Sequence, residues 1–179
     1  YGGGSIKKMG LYDTVMQILS KNGMHVTELS GIDPNPRIDS VREGARLCRE
    51  NHIDVVLAVG GGSVIDCAKV VAAAAKYEQD AWDLVVDPSK IKQALPIATV
   101  LTLAATGSEM DPFAVISDMS QNEKLGTRGE CLIPSVSVLD PTYTFTVSRK
   151  MTAAGVADTM SHILETYFHN EKGGYVQCR

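Results

Sequence analysis

The chain has 179 residues, 44% hydrophobic and 21% charged, with 17 Lys and Arg against 21 Asp and Glu and a net charge of −4. These are the proportions of an ordinary globular protein, with room for one domain and a sizeable core, or for one domain and a piece of another. They exclude the basic face of a nucleic-acid binder, and no stretch reaches the roughly 18 uninterrupted apolar residues of a membrane helix.

The cysteines, Cys48, Cys67, Cys131 and Cys178, form no CxxC pair, which argues against a zinc ribbon or a redox motif. Cys48 and Cys67 fall in helical patterns and read as small core residues. A reducing, cytoplasmic setting is expected. Residues 1–5 (YGGGS) lack the basic-then-apolar order of a signal peptide. The chain opens on a glycine turn with no strand before it and closes soon after its last helical pattern, so a segment of a longer polypeptide is expected.

In chain order, residues 6–22 space Leu11, Val15, Ile18 and Leu19 as a helix, with Gly23 as its stop. MHVTEL, residues 24–29, alternates like a strand. The breaker-rich turn Asp33-Pro34-Asn35-Pro36 follows. SVREGARLCREN reads as a second helix, with Ser40 and Glu43 spaced as a capping box. IDVVLAV, residues 53–59, is short and nearly all apolar, the pattern of a strand buried on both faces of a parallel sheet. Gly60–Gly62 break it, residues 64–76 form a third helix, and LPIATVLT, residues 95–102, is another buried strand. Then come a loop, a short strand AVIS, a polar loop, SVSVLD, and a helical region after Asp140-Pro141. Strands alternating with helices predict an α/β fold: a parallel, Rossmann-like sheet with helices on both faces. A domain boundary is expected near 145–150. His25 and His52 fall at a strand edge and a helix end and read as surface residues.

Three stretches suggest chemistry. GGGSVID, residues 60–66, leaves a buried strand and opens a helix. A helix N-terminus offers free N–H groups and partial positive charge to a phosphate, and glycine lets the ligand approach. The same glycines also suit a plain tight turn, with Ser63 and Asp66 as a capping pair. GGGSIKK, residues 2–8, repeats the glycine pattern, with Lys7 and Lys8 behind it and no acid. Dinucleotide folds place an acid at such a turn for the ribose 2′-hydroxyl, so its absence suits a 2′-phosphate; a flexible end with solvated lysines fits too. TLAATGSEMD, residues 102–111, is equally open as a pocket wall rich in hydroxyls or as a surface loop turning at Gly107.

The last stretch is GVADTMSHILETYF, residues 155–168, a helical pattern with Asp158 and His162 four apart on one face. Carboxylate and imidazole both bind divalent metals, but two ligands do not complete a site. Glu165 and His169 lie further along, and a solvated polar face is the alternative.

Taken in order, GGGSVID, TLAATGSEM, SVLDPTYTFT and TAAGVADTMSHILETYF resemble the iron-containing (group III) alcohol dehydrogenases, and within them the butanol dehydrogenase branch. YGGGSIKKMGLYD and PNPRIDSVREG fit as well, so the resemblance covers nearly the whole chain. It implies a dinucleotide-binding α/β domain over residues 1–147, short of its first strand. Residues 148–179 would begin an all-helical metal-binding domain, in an architecture like that of dehydroquinate synthases. The implied activity is hydride transfer between NAD(P) and a small primary alcohol or aldehyde, aided by Fe2+ or Zn2+. A cytoplasmic homodimer is expected, with no nucleic-acid or membrane partner.

Carried over to matching positions, Gly61, Gly62 and Ser63 would cradle the pyrophosphate, and Asp66 and Asn35 would line the cofactor site. Thr102, Thr106 and Lys124 would touch the cofactor further along. Gly3, Gly4 and Ser5 resemble the branch that prefers NADP(H) over NAD(H), and Asp158 and His162 fall on the first two metal ligands. The chain departs from the family pattern at Asp111, where Asn is usual. It also stops before two further metal-binding histidines, and His169 matches neither. No side chain stands out as a general base, so the chemistry is expected to centre on the metal. A catalytically inactive nucleotide-binding module and a lyase of the same fold are the rival readings, and ADTMSH and TGSEM argue against the lyase.

Overall fold

In the computed structural model residues 1–168 are described. Residues Tyr1–Phe145 form one compact unit, and a second begins at Thr146. In the first unit, the helical pattern near the start divides into α1, Ser5–Lys8, and α2, Leu11–Lys21. Gly10 interrupts it in the left-handed region, at φ 76°. Two further helices are α3, Ile38–Glu50, and α4, Gly62–Ala74; a short α5 spans Trp82–Val86.

The sheet contains β1, Val56–Gly60, β2, Ile97–Leu101, and β5, Val136–Val138, in the order β1-β2-β5 with all neighbours parallel. Its strands alternate across the sheet, as the period of two requires. Ala58 and Leu101 pack on the α4 side with Ile65 and Ala68, while Val59 and Val100 pack on the other side with Ile6 and Leu11. Helices therefore cover both faces, as the apolar runs predict. Among the described residues no helix is long and apolar enough to cross a membrane.

Two expectations fail here. Residues 24–29 are not a strand. Alternation supplies a strand face but not a partner, and β1 pairs only with β2. The segment instead lines a cavity of about 600 Å3, with Val26, Leu29, Leu57 and Val59 on its walls. The polar loop after AVIS is a strand instead. β3, Phe113–Asp118, pairs antiparallel with β4, Glu123–Arg128, in a hairpin whose turn holds Asn122 at φ 54°. EKLGTR carries few apolar residues because most of β4 faces outward; Thr127 alone is buried, donating its hydroxyl to Leu84 O at 2.7 Å.

The helix caps also differ from the spacing rules. The start of α3 is capped by Arg37 without a side-chain hydrogen bond, so Ser40 lies inside the helix. Glu43 reaches forward to Arg46 at 2.6 Å instead of back. α3 meets α4 at Gly44, where a Cβ would stand 2.6 Å from Val71 Cγ2 and 3.0 Å from Leu29 Cδ2. Gly44→Val should therefore cost roughly 1–3 kcal/mol by overpacking. Urea unfolding would read this as a lower midpoint at unchanged slope, and an unchanged midpoint would mean that α3 shifts freely.

In the second unit, α6 spans Arg149–Phe168. Ser148 begins it, its Oγ accepting from Met151 N–H at 3.3 Å. His169 and Cys178 lie outside the described residues.

Candidate functional site

β1 runs out at Gly60, and α4 starts two residues later. Gly61 is the N-cap, in extended conformation and with no side-chain cap, so the alternative of a Ser63–Asp66 capping pair does not form. The Gly61 carbonyl accepts the N–H groups of Val64 and Ile65, at 3.0 and 3.2 Å. Those of Gly62 and Ser63 precede any helical acceptor and lie at the positive end of the helix, the setting that holds an anion. The loop after β2 leans over this turn. A Cβ on Gly62 would fall 2.6 Å from Thr106 Cγ2 and closer still to Thr106 Oγ1, and one on Gly61 would fall 3.2 Å from Leu103 Cβ. Thr102 N–H is tied to Gly60 O at 3.0 Å. Gly61, Gly62, Ser63, Thr102 and Thr106 are thus brought together.

The other glycine turn lies alongside. Gly31 N–H and Ile32 N–H donate to Gly2 O and Tyr1 O, and a Cβ on Gly2 would stand 3.5 Å from Val64 Cγ2. Gly4 caps α1 at φ 106°, and Gly3 faces open space. Lys7 does not extend freely from this turn: its Nζ sits 5.2 and 4.6 Å from the ring centres of Tyr1 and Tyr12. Asn35 adopts φ 58° in the breaker-rich turn. Lys124 Nζ, 89 residues away, donates to its Oδ1 at 2.6 Å. The hairpin is held there by Ser117 N–H donating to Pro36 O.

Asp66, expected to line the cofactor site, is held by the protein itself. Its Oδ1 accepts from Ser108 Oγ at 2.6 Å and its Oδ2 from Val115 N–H at 3.0 Å. Both oxygens thus bind the protein itself, and Asp66 fastens the loop beside the glycine turn. Burial pushes its carboxyl above the ordinary 3.8, partly offset by these hydrogen bonds. A raised folded pKa binds the proton more tightly in the native state, so the stability this adds below that ordinary value is lost as pH rises through the folded one. The residue missed by pattern reading is Lys69, fully buried on the same face of α4. It donates to Asp111 O, Asp111 Oδ1 and Phe113 O at 2.8, 2.9 and 2.8 Å. The available signal was a lone lysine in the apolar run VIDCAKVVAAAA, which implies a buried partner. Cys67, beside Asp66, is buried and its thiol is pushed up to about 12, so it is no nucleophile.

None of the residues expected at the dinucleotide lines the cavity beside β1. That cavity is apolar space behind the turn.

Asp158 and His162 lie on one face of α6, with Asp158 Oδ2 3.5 Å from His162 Nε2. Metal–ligand bonds of about 2.0–2.2 Å would let one ion touch both atoms. The oxygen–imidazole donor pair fits Fe2+ or Zn2+, and both side chains are well exposed. Glu165 Oε2 approaches the other ring nitrogen at 4.0 Å. Among the described residues no group of three or more His, Cys, Asp or Glu could hold a metal. The pair fits as part of a metal site.

Residues 1–141 match the family model of iron-containing alcohol dehydrogenases. The NADH-dependent butanol dehydrogenase A of Clostridium acetobutylicum is 59% identical over 99% of this chain and 46% of its own length. The NADPH-dependent aldehyde reductase YqhD of Escherichia coli is 42% identical over the whole chain and 46% of its own length. The crystal structure of NADH-dependent butanol dehydrogenase A from Thermotoga maritima superposes with a TM-score of 0.91 at 46% identity, covering 97% of this chain and 44% of that one. The chain therefore spans just under half the length of these relatives.

Proposed function

The chain belongs to the iron-containing alcohol dehydrogenases, and from that premise we propose that it supplies the dinucleotide cradle and one side of the metal site of an alcohol dehydrogenase or aldehyde reductase. The observation that carries the reading is the start of α4 at the end of a parallel strand, where Gly62 lies against Thr106 of the loop after β2. A bound nicotinamide would supply hydride exchange with a small primary alcohol or aldehyde, and a bound metal would supply Lewis-acid polarisation of the substrate oxygen. The chain's own residues bind and orient. Gly61–Ser63 take the pyrophosphate, and Thr102 and Thr106 close over it. Asn35 and, from the hairpin, Lys124 would touch the cofactor, Asp66 acts through the loop that it fastens, and Asp158 and His162 would hold the metal.

The test uses the intact protein. NADH or NADPH should be consumed by a short-chain aldehyde, and a chelator should stop this while leaving nucleotide binding in place. Turnover that survives metal removal would overturn the metal assignment. Because only two metal donors are described, a nucleotide-binding module without catalysis is the second reading; it predicts binding without turnover. A cytoplasmic homodimer remains part of the proposal.

For cofactor choice, the turn at Gly3–Ser5 carries no acid and admits a 2′-phosphate, while relatives that are more than half identical are named for NADH. We propose that the chain tolerates the 2′-phosphate without requiring it. Gly3 has open space for a side chain, so Gly3→Asp should fold normally. It should weaken NADPH by about tenfold relative to NADH, the size of one like-charge clash or lost polar contact. An unchanged ratio of the two dissociation constants would remove residues 2–5 from the ribose site.

A further inference from the structure

We propose that Lys69 is a positioning residue for dinucleotide binding: from inside α4 it anchors the loop that closes over the glycine turn. This rests on the reading that the turn takes a dinucleotide. Lys69 is fully buried in a helix whose other inward residues are almost all apolar. Its ammonium has three N–H groups, and the structure accounts for all three, on Asp111 O, Asp111 Oδ1 and Phe113 O. Asp66, one turn earlier on the same face, holds Ser108 and Val115. Two side chains of one helix therefore hold one segment at residues 108, 111, 113 and 115.

The segment just before this hold carries Thr106, whose methyl and hydroxyl occupy the space a Gly62 Cβ would need. Thr106 Oγ1 in turn accepts Ser108 N–H at 3.2 Å. The position of the threonine over the helix N-terminus is thus set by the residues that Asp66 and Lys69 hold. A lysine is required because the loop turns two backbone carbonyls inward, and an apolar residue would leave both without a donor. Asp111 supplies the counter-charge, where the family pattern resembling this chain usually has a neutral amide. A lysine serving stability alone would lower the melting temperature on replacement, since its partners would be left buried and unpaired, but would not loosen the loop over the turn.

The experiment compares the intact protein with Lys69→Met. It reads amide hydrogen exchange over residues 102–115 without nucleotide, and NADH affinity well below each melting temperature. The expected result is faster exchange confined to that segment and NADH binding weaker by about tenfold, because the threonines must be re-ordered on binding. Asp111→Ala should act in the same direction by about threefold: the bonds of Asp111 Oδ1 to Lys69 Nζ and Phe113 N–H are lost, while Lys69 keeps its two carbonyl acceptors; it carries the test if Lys69→Met does not fold. A lower melting temperature with unchanged exchange and affinity would overturn the proposal and leave Lys69 a purely structural residue. A parent protein that binds no NADH, with a loop still loosened by Lys69→Met, would overturn the dinucleotide reading and the positioning role together. Tight parent binding that Lys69→Met and Asp111→Ala leave untouched would overturn the positioning role alone.

Discussion

Gly62→Val should abolish measurable dinucleotide binding by the intact protein. The first added carbon already meets Thr106 Cγ2 at 2.6 Å and Thr106 Cβ at 3.0 Å. Thr106 is a short side chain whose hydroxyl is engaged with Ser108 N–H, so it cannot swing aside as the tip of a lysine would. Either the loop lifts or the first turn of α4 twists, and both displace the Gly62 and Ser63 N–H groups. Hydrogen bonds to a charged phosphate contribute about 1.5–3 kcal/mol each. Losing two should weaken binding by roughly 10^2- to 10^4-fold. Titration calorimetry with NADH and NADPH reads the loss, with circular dichroism as the check that the sheet has formed. Unchanged dissociation constants would mean that the loop yields and that the phosphates sit elsewhere.

His162→Ala should have the second large effect, in the opposite pattern. The imidazole is 72% exposed on α6, so its truncation should disturb folding little. Metal content should fall, and aldehyde turnover should drop by about 10^3-fold, matching the several kcal/mol that a Lewis acid supplies. NADH affinity should stay, because the proposed cradle is built from Gly61–Ser63 and its loop. Elemental analysis beside a binding titration separates the two properties. Full metal occupancy in His162→Ala would remove this residue from the ligand set.

Much of this layout is legible in the chain. The apolar runs at 53–59 and 95–102 are parallel strands, seen as Val56–Gly60 and Ile97–Leu101, although Leu57 is exposed. The glycine turn at 60–62 ends a strand and opens a helix as expected, and the four-residue spacing of Asp158 and His162 does put them on one face. Other elements were illegible for identifiable reasons. EKLGTR has no apolar rhythm, because β4 forms by pairing with β3 and most of its side chains face solvent. MHVTEL has the rhythm but no neighbour to complete a ladder. Ser40 and Glu43 have the spacing of a capping box, yet α3 begins two residues earlier and Glu43 finds Arg46.

By itself the sequence determined the α/β class, the helix-opening glycine turns, the family motifs and the placing of Asp158 and His162 on one helix face. All of these depend on residues close in the chain, where steric limits and the helix and strand periods act directly. Tertiary structure alone decided which distant residues meet. Lys124 reaches Asn35, Thr106 fits against Gly62, Asp66 accepts from Ser108 and Val115, and Lys69 buries its charge against Asp111. Those contacts join residues 42–89 positions apart. They arise because a buried polar group takes whichever partner the packed chain brings within reach, and no local spacing encodes that choice.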